Sequence, residues 1–138
     1  MAKTFTAPFA QTPQIKTAVV TGAAGSITGD TPTNTVVLVT AGADGAILTR
    51  LTAIPRATNT ASSLVLFTSA DNGTTKRLID SVLMAAQTVA TTTAITSTTF
   101  STYTETAPLR LAAGEQLYVG SQVALASGIV FRAEYTDF

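Results

Sequence analysis

Eight carboxylates are the main candidates for chemistry in this chain, because the sequence contains no His and no Cys. They are Asp30, Asp44, Asp71, Asp80, Asp137, Glu105, Glu115 and Glu134. Two carboxylates facing each other could hydrolyse a glycoside, and several in loops could bind Ca²⁺. However, Asp44 and Asp71 stand in glycine-containing turns, where Asp usually bonds its own backbone. No D-x-D-x-D spacing is present, so we predict no catalytic residue and no metal site.

One glycine-rich stretch, Ala18–Gly29, imitates a dinucleotide-binding turn. In short-chain dehydrogenases such glycines let the backbone approach a pyrophosphate at the start of a helix. Here the third glycine, Gly29, lies one position later than in the dehydrogenase pattern. The segment that follows, Asp30–Asn34, is typical of a turn. No Tyr in the chain has a Lys four residues later. We therefore predict no cofactor and interpret Gly22–Gly29 as a hairpin turn or a surface loop.

The composition argues against several classes of partner. Eight basic residues balance eight acidic ones, so the cationic surface that nucleic-acid binding requires is missing. No apolar run approaches the roughly 18–20 residues that span a bilayer, and no signal peptide is recognisable. The chain is instead rich in Thr, with 28 of them. We predict a binding or structural protein made in the cytoplasm, not an enzyme, with no nucleic acid or membrane partner.

Residues 1–16 are predicted to form an extended N-terminal arm, because Pro8 and Pro13 oppose regular strand pairing. Large apolar side chains in this arm are costly to leave in water. They pack either on their own domain or on a neighbouring subunit, and we expect the arm to serve assembly more than folding. Its candidate partner-binding residues are Phe5, Phe9 and Ile15.

Residues 17–138 have the pattern of a single domain of short strands separated by turns. Asp71-Asn72-Gly73 lies between two β-prone runs and predicts a hairpin, because Asn and Gly tolerate positive φ. In Ala46–Ile54 the pattern is irregular, because a regular strand would place the charged Arg50 on the same face as the apolar Leu48. The last segment alternates strictly, with four residues on one predicted face: Ile129, Phe131, Ala133 and Tyr135.

These patterns predict an all-β fold, an antiparallel β-sandwich that is jelly-roll-like. No long segment has a 3.6-residue apolar period, which argues against an α/β fold. The Thr-rich stretch Gln87–Thr106 is predicted to be an extended, partly exposed strand or loop. Within it Tyr103 is the best candidate for an exposed aromatic that binds a partner.

Three stretches of the chain resemble small β-rich virion proteins of tailed bacteriophages. They are Leu38–Ile47, Leu109–Val123 with its Gly-Glu-Gln-Leu-Tyr-Val step, and the ending Glu134–Phe138. Such proteins commonly decorate or cement a capsid, often as a β-sandwich, at the joints between major capsid subunits. The resemblance implies a structural protein on the capsid surface of a virion, with the major capsid protein as its partner. We also expect a homo-oligomer, a dimer or a trimer.

Two other functions stay open at this point. One is a carbohydrate-binding or adhesion module that uses Tyr103 and polar groups in turns. The other is a head–tail or tail component of the virion. Binding of the purified protein to empty shells or to glycans would discriminate among them.

Overall fold

The computed structural model describes residues 12–138 and is all-β in this range, without a helix. The strands are β1 (Thr12–Val20), β2 (Val36–Thr40), β3 (Ala46–Pro55), β4 (Ser62–Ser69), β5 (Arg77–Met84), β6 (Thr98–Thr99), β7 (Leu109–Leu111), β8 (Gln116–Ser121) and β9 (Ile129–Asp137). The prediction of an all-β fold is confirmed.

The strands form two antiparallel sheets. The first sheet has the order β1-β9-β3-β6, with β7 also paired to β3, and the second has the order β2-β8-β4-β5. Every pairing between these strands is antiparallel. One apolar core takes buried residues from both sheets, including Leu51 and Phe131 from the first and Leu64 and Leu117 from the second. The arrangement is therefore sandwich-like.

The last strand follows the predicted alternation. Ile129, Phe131 and Tyr135 are buried in the core, while Arg132 is exposed on the opposite face. A period of two places successive side chains on opposite faces of a sheet. The alternation of apolar and charged residues was thus sufficient to assign the buried face of this strand.

A β-bulge explains the irregular pattern of β3. Its register against β9 shifts between Leu48 and Arg50, which leaves Thr49 as the extra residue. The Thr49 hydroxyl donates a hydrogen bond to the Glu134 carbonyl, at 3.1 Å. The extra residue shifts the alternation by one position, so that the residues after it face the opposite side of the sheet from the side they would otherwise face. As a result Leu48 and Leu51 are both buried although they are three positions apart, and Arg50 faces outward.

The first strand begins earlier than the sequence suggested. β1 pairs with β9 over its whole length, from Thr12 opposite Asp137 to Val20 opposite Ile129. The expectation that Pro13 opposes regular pairing is wrong, because β1 is an edge strand and only alternate N–H groups of an edge strand face its neighbour. Residues 12–16 of the predicted arm therefore belong to the first sheet. Phe5 and Phe9 lie outside the described residues.

The predicted hairpin at Asp71-Asn72-Gly73 is confirmed, since β4 and β5 pair on either side of it. Asn72 and Gly73 have φ angles of 59° and 88°. The Asp71 carboxylate accepts hydrogen bonds from the Thr75 N–H at 2.8 Å and from the Ser69 hydroxyl at 3.0 Å. The Thr75 N–H is the main cause that lowers the pKa of Asp71. The connection runs from residue 70 to residue 76 and is longer than a two-residue turn.

Candidate functional site

Tyr103 lies in the core and not on the surface. It is only 8% exposed, so the expectation of an exposed ring is wrong. A turn places it there, because its N–H donates to the Phe100 carbonyl, and the Phe100 N–H donates to Leu51 of β3. Burial, and next the charge of Asp80, raise the pKa of Tyr103 to about 12. Its Thr-rich neighbours in the sequence gave no sign of this burial.

Ile15 is the one predicted partner-binding residue that is both described and exposed. It lies on the outer face of the first sheet, 59% exposed and opposite Glu134. Phe5 and Phe9 precede the described residues, and Tyr103 belongs to the core and reaches the surface only at a groove beside β3. The structure therefore does not bring the four candidates Phe5, Phe9, Ile15 and Tyr103 together in the part it describes.

Several of the carboxylates are used in structural contacts. Glu134 is paired with Arg50 at 3.8 Å and with Arg132 at 3.5 Å, as expected for an acidic residue on an outward face. Asp30 is paired with Arg77 at 3.4 Å. Exposed pairs of this kind contribute about 0–1 kcal/mol each. They hold the local geometry of these side chains.

Two further acidic residues serve the backbone and the turns. Asp137 accepts a hydrogen bond from the Gly42 N–H at 3.0 Å. Glu115 accepts one from the Thr68 hydroxyl at 2.6 Å and another from the Ala112 N–H at 2.9 Å. In residues 12–138 no group of three His, Cys, Asp or Glu residues is placed to hold a metal ion.

Two shallow grooves open on the surface. The first, of about 470 Å³, lies at the edge between β1 and β2 and is lined mainly by polar side chains. The second, of about 340 Å³, lies beside β3 and contains Glu105 together with Arg50 and Glu134. Within this groove Glu134 is paired with Arg50 and Arg132.

The β1–β2 connection, residues 21–35, covers part of the second sheet and is called the covering loop here. Alternation in β4 places Leu64 and Leu66 in the main core and Val65 and Phe67 on the outer face. Ala24 of the covering loop packs against Val65 and Phe67 to form a second, smaller apolar cluster. The loop therefore completes the burial of β4 on its second face.

A glycine in β8 lets the covering loop approach the sheet. A Cβ atom at Gly120 would lie 3.1 Å from the Ala24 Cβ and 3.3 Å from the Val65 Cγ2. The Ala24 N–H donates a hydrogen bond of 2.7 Å to the Ser121 carbonyl. Gly22–Gly29 is thus a surface loop, as the sequence indicated, and no helix follows it.

The β5–β6 connection, residues 85–97, is called the threonine loop here. None of its residues is buried, and eleven of the thirteen are exposed. Its base is hydrogen-bonded to the β3–β4 connection, since Asn59 and Gln87 exchange N–H···O bonds of 3.1 and 3.3 Å. Across the loop, the Gln87 side chain bonds both the N–H and the carbonyl of Thr96, each at 2.8 Å. The loop is therefore exposed but held in one shape.

Comparisons of this chain with models of protein families, with curated proteins and with solved structures found no match. Among residues 12–138 no helix is long and apolar enough to cross a membrane.

Proposed function

We propose that this chain is a structural virion protein that decorates a phage capsid and stabilises it at the joints between major capsid subunits. The observation that carries the proposal is the nested pairing of the strands. β1 pairs with β9, β2 with β8, β3 with β6 and β7, and β4 with β5. This is the pairing of one long hairpin folded over into two sheets, and it supports a jelly roll.

A jelly roll would be compatible with this function, although the fold alone does not select it. Double-sheet jelly rolls occur in viral capsid proteins, in lectins and in cupins. The virion reading is supported by the resemblance of three stretches of the chain to small virion proteins of tailed phages. It is also supported by the structural use of the paired carboxylates Asp30 and Glu134.

The lectin-like alternative, a carbohydrate-binding or adhesion module, has less support. Sugar binding by stacking uses exposed aromatic rings, but every aromatic side chain in residues 12–138 is buried or half-buried. Tyr118 is half-buried, and the Lys76 ammonium lies 4.5 Å from its ring centroid. A head–tail or tail component is a further alternative within the virion class, and the particle experiment below distinguishes it.

The proposed mechanism is cementing by many weak contacts. A rigid sandwich presents loops to several neighbouring subunits, and repetition over the shell adds avidity. Residues 1–11, with Phe5 and Phe9, supply a second predicted contact with a neighbour. The partners are the major capsid protein and further copies of this chain, in a dimer or a trimer. The protein acts on the capsid surface after synthesis in the host cytoplasm.

The test is co-sedimentation of the purified protein with empty shells of the major capsid protein from the same phage. We expect saturable binding at a fixed number of copies per shell, and a higher temperature of shell disruption. Isolated tails and a panel of immobilised glycans are tested in parallel. Absence of binding to shells would contradict the proposal, and saturable binding to tails or glycans alone would establish an alternative.

A further inference from the structure

We propose that Asn72 is a modification site, where the side chain slowly loses ammonia and becomes aspartate or isoaspartate, and that the Ser69 hydroxyl restrains this reaction. The inference concerns the chemistry of the β4–β5 connection and does not depend on the proposed function. It rests on the residue that follows Asn72, on the exposure of the turn and on the hydrogen bonds that hold it.

The reaction joins Asn72 to the backbone nitrogen of the next residue. The Gly73 nitrogen gives up its proton to water or hydroxide and attacks the Asn72 Cγ atom. The Cγ–Nδ2 bond breaks as the amide nitrogen takes up a proton and leaves as ammonia, and a succinimide ring remains. Water then opens the ring at one of its two carbonyl carbons, which gives aspartate or isoaspartate. Each event replaces a neutral amide by a carboxylate in a chain whose formal net charge is zero.

Sequence and exposure both select Asn72 for this attack. The chain has two other asparagines, Asn34 and Asn59, and each of them is followed by Thr. A β-branched side chain beside the attacking nitrogen is stiff and crowds the asparagine carbonyl, whereas Gly73 has no side chain. Asn72 is also exposed to water, while Asn59 is buried.

A buried hydroxyl engages the attacking nitrogen. The Gly73 N–H donates a hydrogen bond to the Ser69 hydroxyl at 2.8 Å. Ser69 is only 2% exposed, and its hydroxyl donates in turn to the Asp71 carboxylate at 3.0 Å. A hydroxyl that donates its proton in this way presents its lone pairs to the Gly73 N–H. This bond must open before water can take the proton of the nitrogen, so Ser69 slows the attack.

The Asp71 carboxylate adds a second restraint. It is one hydroxyl group away from the attacking nitrogen, and the Thr75 N–H fixes its position at 2.8 Å. The same N–H is the main cause that lowers the pKa of Asp71, so this carboxyl group is ionised at neutral pH. Its negative charge opposes the negative charge that develops when the nitrogen loses its proton. Removal of either restraint should therefore speed up the modification.

The experiment locates the modification in the purified full chain during incubation in mildly alkaline buffer. Cleavage after Lys and Arg releases residues 57–76, which contain both Asn59 and Asn72. Fragmentation of this peptide in a mass spectrometer shows which of the two has lost ammonia and gained water, and chromatography separates isoaspartate from aspartate. We expect the modification at Asn72, while Asn34 and Asn59 stay unchanged.

Two variants and one matched control test the restraint. Ser69→Ala removes the bond to the Gly73 N–H, and we expect about fivefold faster modification. Asp71→Ala removes the charge, and we expect about twofold faster modification. Ser62→Ala is the control, because Ser62 at the other end of β4 is also 2% exposed and its hydroxyl donates to the Thr60 carbonyl. Its rate should equal that of the wild type.

Each outcome supports or overturns the inference. Modification at Asn34 or Asn59 before Asn72 would overturn the site, as would an unmodified Asn72 after the time in which the urea-unfolded chain has reacted completely. Equal rates in the wild type and both variants would overturn the restraint, and so would an equal acceleration in the control. If Ser69→Ala does not fold, Asp71→Ala decides, because Asp71 is exposed. Binding to shells is measured separately, so the proposed function stands or fails without regard to these results.

Discussion

The covering loop and the threonine loop are nearly equal in length but have opposite relations to the sandwich. The covering loop, residues 21–35, follows the edge strand β1 and packs Ala24 on the outer face of the second sheet. The threonine loop, residues 85–97, follows the edge strand β5 and packs no buried side chain anywhere. One loop is part of the folded core, and the other is a surface attached to it.

The difference follows from what lies next to each loop. All four residues of Leu64–Phe67 in β4 are fully buried, so this strand needs cover on both faces. The covering loop provides it with small residues that approach the sheet over Gly120. The threonine loop buries no side chain, and polar bonds from Asn59 and Gln87 hold it instead. One loop is thus held mainly by apolar packing on the sheet and the other by hydrogen bonds.

The largest effect is expected on the face under the covering loop. Phe67 is fully buried there, so Phe67→Ala should lower the free energy of unfolding by about 3–5 kcal/mol. Chemical denaturation monitored by circular dichroism measures the loss. Leu83→Ala is the matched control in β5, because Leu83 is largely exposed, and it should cost less than about 0.5 kcal/mol. Equal losses in the two variants would mean that the covering loop does not complete the core.

The β4–β5 turn connects to the covering loop, and its disruption should have the next largest effect. The Lys76 N–H donates to the Asp30 carbonyl at 2.8 Å. Gly73→Val places a β-branched residue at positive φ, and its Cβ collides with the Tyr118 hydroxyl. We expect a loss of about 1 kcal/mol or more in the free energy of unfolding. An unchanged melting temperature, together with an unchanged one for the exposed control Thr74→Val, would contradict this account of the turn.

The chain returns from the threonine loop to the core at Phe100 and Tyr103. Because the Tyr103 phenol is buried there, the stability of the fold should depend on alkaline pH. The pKa of Tyr103 is raised in the folded state, so the unfolded chain releases this proton first, near pH 10. The contribution of the neutral phenol to the free energy of unfolding is fully present below pH 10, and it is lost as the pH rises towards about 12. Burial also raises the pKa of Tyr135, which adds to the same loss.

Urea unfolding between pH 8 and about 11.5 measures this dependence. Tyr103→Phe should have a shallower alkaline decline than the wild type, because one of the two shifted tyrosines is removed. Identical slopes for the two proteins would show that Tyr103 does not titrate with unfolding.

The smallest effect on stability is expected in the threonine loop. Gln87→Ala removes both side-chain bonds to Thr96, but these bonds lie in an exposed loop outside the core. We expect a change below about 0.5 kcal/mol in global stability, with faster hydrogen exchange at the Thr96 N–H. A large global loss would indicate that the threonine loop supports the sandwich as the covering loop does.

Local patterns were sufficient to predict some elements and not others. The alternation of β9 and the Asn-Gly turn are properties of neighbouring residues, and both were predicted correctly. The pairing through Pro13 depends on β1 lying at an edge, which only the sheet order reveals. The burial of Tyr103 depends on contacts with a distant strand. The apolar run Leu64–Phe67 was the one available signal of a strand covered on both faces.

The central claim is tested most directly by hydrogen exchange of the protein free and bound to empty capsid shells. If the chain decorates a shell, amides on one exposed surface of the sandwich become protected on binding. No change in any amide of the protein at saturating shell concentration would contradict the account.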